Sequence, residues 1–237
     1  MSAYNPPTRD SVIFNPEYFQ TSLADLDTTY LNQNYLRFPF AQGTENLQTI
    51  NVNGDAVFNS DLRLNQLEIH LGTDAGLTNQ GTNAVAIGKE AVQTTQGSDA
   101  VAIGSNSGET TQGLDAVAIG SNSGQTTQGL EATALGHNAG NNNQGAQAVA
   151  IGKFAGNTNQ GTKSVAIGND AGYTGQLANA LAIGNAAGYT TQGTNATAIG
   201  YLTGQTTQGN NATALGYNAG NDNQGQSAVA IGNTAQL

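Results

Sequence analysis

Apolar residues in the last two thirds of the chain fall into one recurring cluster, four residues long and closed by glycine, as in Ala84-Val85-Ala86-Ile87-Gly88. The large aliphatic and its glycine return every 16 residues without insertion or deletion, from Leu71-Gly72 through Ile87-Gly88, Ile103-Gly104 and Ile119-Gly120 to Leu215-Gly216 and Ile231-Gly232. A unit this short cannot bury its own apolar face, so each copy must stack on its neighbours, which predicts a solenoid. Helix is disfavoured inside the unit because its glycines would each cost on the order of 1 kcal/mol relative to alanine. Two short strands per coil fit better: the apolar run ended by the first glycine, and a polar run such as Thr94-Thr95-Gln96 ended by Gly97.

Strand side chains alternate faces, so Val85 and Ile87 point one way and Ala84 and Ala86 the other, and both faces of the strand are apolar. One face fills the narrow interior of the roll and the other is left for a second chain; either assignment satisfies the alternation. A strand apolar on both sides therefore predicts a homo-oligomer. The second alanine recurs in ten units, at Ala86, Ala102, Ala118, Ala134, Ala150, Ala166, Ala182, Ala198, Ala214 and Ala230, and marks either the roll core or the contact with another chain. The Val position relaxes to Thr at Thr133, Thr197 and Thr213. Of the three glycines in the unit only the first is invariant, since Val92 and Leu177 stand at the other two, so only the first is expected to need positive φ or close backbone contact throughout. A glutamine recurs before the third glycine, from Gln80 to Gln224, and suggests a ladder of hydrogen-bonded amides.

The segment Lys163-Ser164-Val165-Ala166-Ile167-Gly168-Asn169-Asp170-Ala171 resembles the repeat of the trimeric autotransporter adhesin head. The resemblance covers residues 71–237 and implies a parallel β-roll in which three chains lie side by side. The expected fold is thus all-β: a parallel β-solenoid of 16-residue coils, assembled as a homotrimer, with an irregular N-terminal segment. The repeat is longer than is usual in that family, and no export signal, coiled-coil stalk or membrane barrel is expected from the sequence.

Composition changes sharply near residue 70. All four prolines, all three arginines and nine of the fourteen aromatics precede residue 71. Residues 1–47 read as an extended docking or assembly arm, with one short helix over Ser22–Leu31, and its side chains Phe14, Tyr18, Phe19, Tyr35, Phe38 and Phe40 need an apolar surface elsewhere. Residues 48–70 alternate apolar and polar and read as a β-hairpin cap turning at Asn53-Gly54-Asp55, and residues 71–237 form the solenoid. The motifs Asn5-Pro6-Pro7, Phe14-Asn15-Pro16 and Phe40-Ala41-Gln42-Gly43 resemble repeat proteins of large DNA viruses of algae and protists. That likeness implies a virion surface or an extracellular appendage, with residues 1–70 attaching to the particle.

Charge narrows the partners. With 16 acids against six Lys and Arg, a net charge of -10 and a pI near 4.2, the chain is not built to neutralise phosphates, so neither nucleic acid nor an anionic membrane is expected. No cysteine is available for disulfides or thiolate metal sites, and no basic n-region precedes an apolar run at the N-terminus. The expectation is a chain made in the cytoplasm that does not insert in a membrane.

No catalytic constellation is evident, His70 and His137 lying far apart, so the chain reads as a non-enzymatic structural fibre that associates with itself, as trimers or filaments, and needs no cofactor. Two further readings rest on particular columns. Tyr173 with Tyr189, and Tyr201 with Tyr217, share repeat positions and offer a face for host glycan, as in a cell-surface adhesin. The Thr column Thr78, Thr94, Thr110, Thr126, Thr158, Thr174, Thr190 and Thr206 suggests ice binding, though Asn142 and Asp222 interrupt it. Asp99, Asp115 and Glu131 form an acidic column that reads either as a cation site or, preferably, as a solvated edge.

Overall fold

The computed structural model describes residues 69–236. The arm at 1–47 and the hairpin at 48–70 lie outside the described residues, except that the backbone of Ile69 and His70 opens the first strand. Every regular element among the described residues is a strand. Eleven three-residue strands, from Ile69–Leu71 and Val85–Ile87 to Thr213–Leu215 and Val229–Ile231, form one parallel sheet in chain order. Each pairs with the strand one repeat later, Ala86 against Ala102 and Ala102 against Ala118, so the sequence register becomes the ladder register. The opposite wall is formed by the polar runs: a five-strand sheet from Thr95–Gln96 to Thr158–Gln160 and a two-strand sheet of Thr191–Gln192 with Thr207–Gln208. The fold is therefore a parallel β-solenoid, each coil carrying one apolar and one polar wall.

The interior takes the small residues. Ala86, Ala102, Ala118, Ala134, Ala150, Ala166, Ala182, Ala198, Ala214 and Ala230 all point inward and are fully buried, as are most residues two positions before them: alanines from Ala84 to Ala212, with Ser164 in one coil. The strand pattern is half-buried, buried, half-buried, which leaves Val and Ile on the outside. From the facing wall each glutamine side chain crosses the lumen. Gln128 Nε2 donates to Val117 O at 2.8 Å, Ala132 O at 3.2 Å and Gln144 Oε1 at 3.1 Å. The amide thus ties both walls of its own coil and also the next coil. Such links join Gln96 to Gln112 at 3.0 Å, continue unbroken to Gln192, and resume from Gln208 to Gln224 at 3.0 Å. At the two breaks the carbonyls of Gln96 and Gln208 are buried without a donor.

The glycines show why the coils stack so closely. At Gly120, φ is +125°, and a Cβ would lie 2.6 Å from Gly136 O of the next coil. The expectation that only this column is constrained needs correction. A Cβ at Gly113 would lie 2.5 Å from Leu130 N, and the second column is left-handed at every coil, including Val92 at φ 49°. Substitution marks where a coil tolerates the cost, since a β-branched residue in that region is strained; Leu177 coincides with a rerouted backbone at Gly175, φ +71°.

Replacing Gln144 by Ala should strip the carbonyl of Thr133 and the amide of Gln128 of partners and open a hole between the walls. We expect a loss of roughly 2 to 4 kcal/mol, read as a lower midpoint in denaturant titration.

Candidate interaction surfaces

Because alanine occupies the lumen, the outer face of the long sheet carries two parallel ranks of large aliphatics, Val85 and Ile87, Val101 and Ile103, Val149 and Ile151 among them. Within a rank each side chain is partly covered by its neighbours one coil away, which accounts for half-burial. Leu135 and Leu215 are still 42% exposed. Thr133, Thr197 and Thr213 sit in the Val rank of this outer face, so the position that relaxes to threonine is the one the lumen does not constrain. A continuous apolar face of this kind on a polar, glycine-rich stack marks an association surface.

The tyrosine pairs occupy different environments. Tyr173 and Tyr189 stack with centroids 4.9 Å apart and planes 6° from parallel, half-buried at a corner of the coil. Their column continues a polar ladder, in which Asn141 Nδ2 donates to Gln125 Oε1 at 2.9 Å and Gln125 Nε2 in turn donates to Glu109. Burial, then the nearby Tyr173 and the Asp170 carboxylate, raise the Tyr189 phenol above its ordinary value. Tyr201 and Tyr217 also stack, at 5.4 Å, but stand 47% and 55% exposed beside the apolar face. In both pairs the rings cover one another's faces, so what each pair offers a sugar is chiefly ring edge.

The sequence reading missed that the first pair is part of a longer run. Phe154 packs edge-on against Tyr173 at 6.0 Å and His137 at 5.4 Å, and the Lys153 ammonium lies 5.0 Å from the Phe154 ring centroid. These four rings come from three different repeat positions, so column-by-column inspection does not connect them. Only the winding of the corner does.

Asp99, Asp115 and Glu131 line one exposed edge at φ 55° to 58°. Asn83 Nδ2 donates to Asp99 at 3.0 Å and Gln147 Nε2 to Glu131 at 2.8 Å, so amides flank the column at both ends. Among the described residues no group of three or more His, Cys, Asp or Glu is placed to hold a metal. Among the described residues there is no helix long and apolar enough to cross a membrane. The Thr wall is not one flat array: beside it Thr95, Thr111 and Thr127 open strands in ordinary backbone conformation, whereas Asn143 and Asn159, in the middle of theirs, and Gly175 turn left-handed at the same repeat position.

A parallel roll with small residues inside and an apolar rank outside is the architecture of a stacked-coil repeat protein. Compared with known families, the chain matches the YadA head domain repeat in two copies, over residues 80–107 and 206–219, so these repeats are similar to those of trimeric autotransporter heads. Neither a curated protein nor a solved structure matches the chain.

The raised Tyr189 phenol gives a pH signature. Since the folded pKa lies above the unfolded one, the contribution is intact below about pH 10 and is lost as pH rises through the folded value. Tyrosinate absorbance should include a late-titrating phase, and Tyr189→Phe should remove it.

Proposed function

We propose that the chain is a non-enzymatic, adhesin-like rod that assembles side by side with copies of itself and is displayed as a surface appendage. The observation that carries the reading is the outer face of the long sheet, where Val and Ile ranks run the length of the stack and none of the described residues forms a layer over them. In a soluble single chain such a face would be an aggregation liability. Three copies with these ranks turned inward bury it while leaving the polar walls in water. The YadA head repeat supports a trimer over other orders, because heads built on it are homotrimers. The virus-like motifs before residue 48 favour a fibre on a virion, with residues 1–70 attaching it to the particle, over a bacterial cell anchor.

The two faces of the strand make separable tests. Ala150→Glu places a charge in the lumen and should unfold the coil, seen as loss of the strand signal in far-ultraviolet spectra. The double variant Val149→Asp, Ile151→Asp charges only the outer face and should yield folded monomers. Light scattering on the purified protein checks the premise: a wild-type protein with the mass of one chain removes the assembly reading.

A further inference from the structure

The corner built by His137, Lys153, Phe154, Tyr173 and Tyr189 goes beyond self-association. Phe154 occupies the second position after the invariant glycine, where the backbone turns left-handed in every coil; its own φ is 59°. The two adjacent coils place Asn138 and Asp170 there, and Asn106, Asn122 and Asn218 recur farther along; Glu90, Ala186, Leu202 and Thr234 also stand in the column, but Phe154 is its one aromatic ring. Asparagine and aspartate enter this region readily, whereas a bulky aromatic ring is strained in it. The ring is therefore not there to relieve the turn. What it adds is contact: edge-on packing to His137 at 80° and to Tyr173 at 76°, and a face beneath the Lys153 ammonium. Strain kept at a surface position in exchange for a shaped cluster is the signature of a binding site.

Charge and shape specify the ligand. The described residues hold three lysines and no arginine against eight Asp and Glu, so this chain repels anions almost everywhere. Lys89 is paired with Glu90 at 3.2 Å, whereas Lys153 is held over an aromatic ring instead. Lys153 and His137 are exposed on adjacent coils, next to half-buried rings, and Asp170 stands at the other end of the cluster beside Tyr189. An extended peptide has no backbone to pair with at this corner: Phe154 N donates to His137 O at 2.9 Å and Asp170 N to Lys153 O at 3.0 Å. A sugar chain needs no such pairing. It packs C–H faces on rings, places an acidic group near the cation and offers hydroxyls to a carboxylate. From His137 to Tyr189 the cluster covers three coil steps, or about 14 Å at about 4.8 Å each, which matches a few linked sugar rings lying along the rod axis.

We propose that this corner is a binding site for an acidic saccharide, with Lys153 and His137 facing its anionic groups, Phe154 and the Tyr173 edge packing on its rings, and Asp170 accepting its hydroxyls. The site lies on a turn between the two walls and does not include the apolar ranks, so it is independent of the assembly reading.

The test uses calorimetric titration of the full-length protein with a short oligogalacturonate, against a neutral cello-oligosaccharide of equal length. The acidic chain should bind and the neutral one should not. Lys153→Glu and Phe154→Asn should each weaken binding by about tenfold or more, or abolish it. Because asparagine suits the turn, Phe154→Asn should melt at the wild-type temperature or above, with the oligomeric mass unchanged in light scattering. The proposal is overturned if the acidic chain fails to bind, if the neutral chain binds equally, or if Phe154→Asn binds as wild type. It is also overturned if that variant melts several degrees lower, which would make the ring a brace for the stack. None of these outcomes bears on the monomer-or-oligomer measurement.

Discussion

One side chain sets the thickness of the coil. The buried glutamine reaches from the polar wall to the backbone of the apolar wall, and its span leaves room beside it for methyl groups only. Everything else adjusts to that gap. The inward strand positions must be alanine, and serine or threonine enters the lumen only where its hydroxyl finds a carbonyl, as Ser107 does at Gly104 O and Ser123 at Gly120 O. Buried amides are costly unless satisfied. Here one amide serves as the spacer and as three hydrogen bonds, so a coil gains its polar satisfaction and its width from the same group.

The consequence is a protein whose largest aliphatics are on the outside. In an ordinary domain the Val and Ile of a strand would be the core. In this stack the core is alanine, and among the described residues the branched side chains are left on a broad, regular surface. Cohesion among the described coils therefore comes mainly from backbone ladders and amides rather than from burial of the large aliphatics.

The periodicity made the fold legible, because strict spacing of Ile-Gly and of Gln can be satisfied in only a few ways and a stacked coil is one of them. It did not disclose which strand face points inward: alternation is symmetric, and only the length of the glutamine decides it. The second and third glycine columns were misjudged for a related reason. Val92 and Leu177 show that those positions can be filled, whereas the cost of filling them is set by the approach of the next coil, at Gly97 within 2.4 Å of Leu114 N for a Cβ. The aromatic corner was half legible. Tyr173 and Tyr189 lie 16 apart and are obvious as a pair, but His137 and Phe154 join them only through the geometry of the turn.

The amide ladder has a direction. In every link Nε2 of one glutamine donates to Oε1 of the next residue toward the C-terminus, never the reverse. Aligned amide dipoles in a dry channel add, and each polarises its neighbour. The run from Gln96 to Gln192 thus begins on a carbonyl oxygen without a donor and ends at Gln192, whose N–H groups turn to Leu181 O and Ala196 O instead of Gln208, so the stack is an electrical arrow, negative toward its N-terminal coils and positive toward its C-terminal ones. Rods laid side by side with their arrows parallel must overcome that mutual repulsion through their apolar faces, and rods meeting head to tail would be drawn together by it.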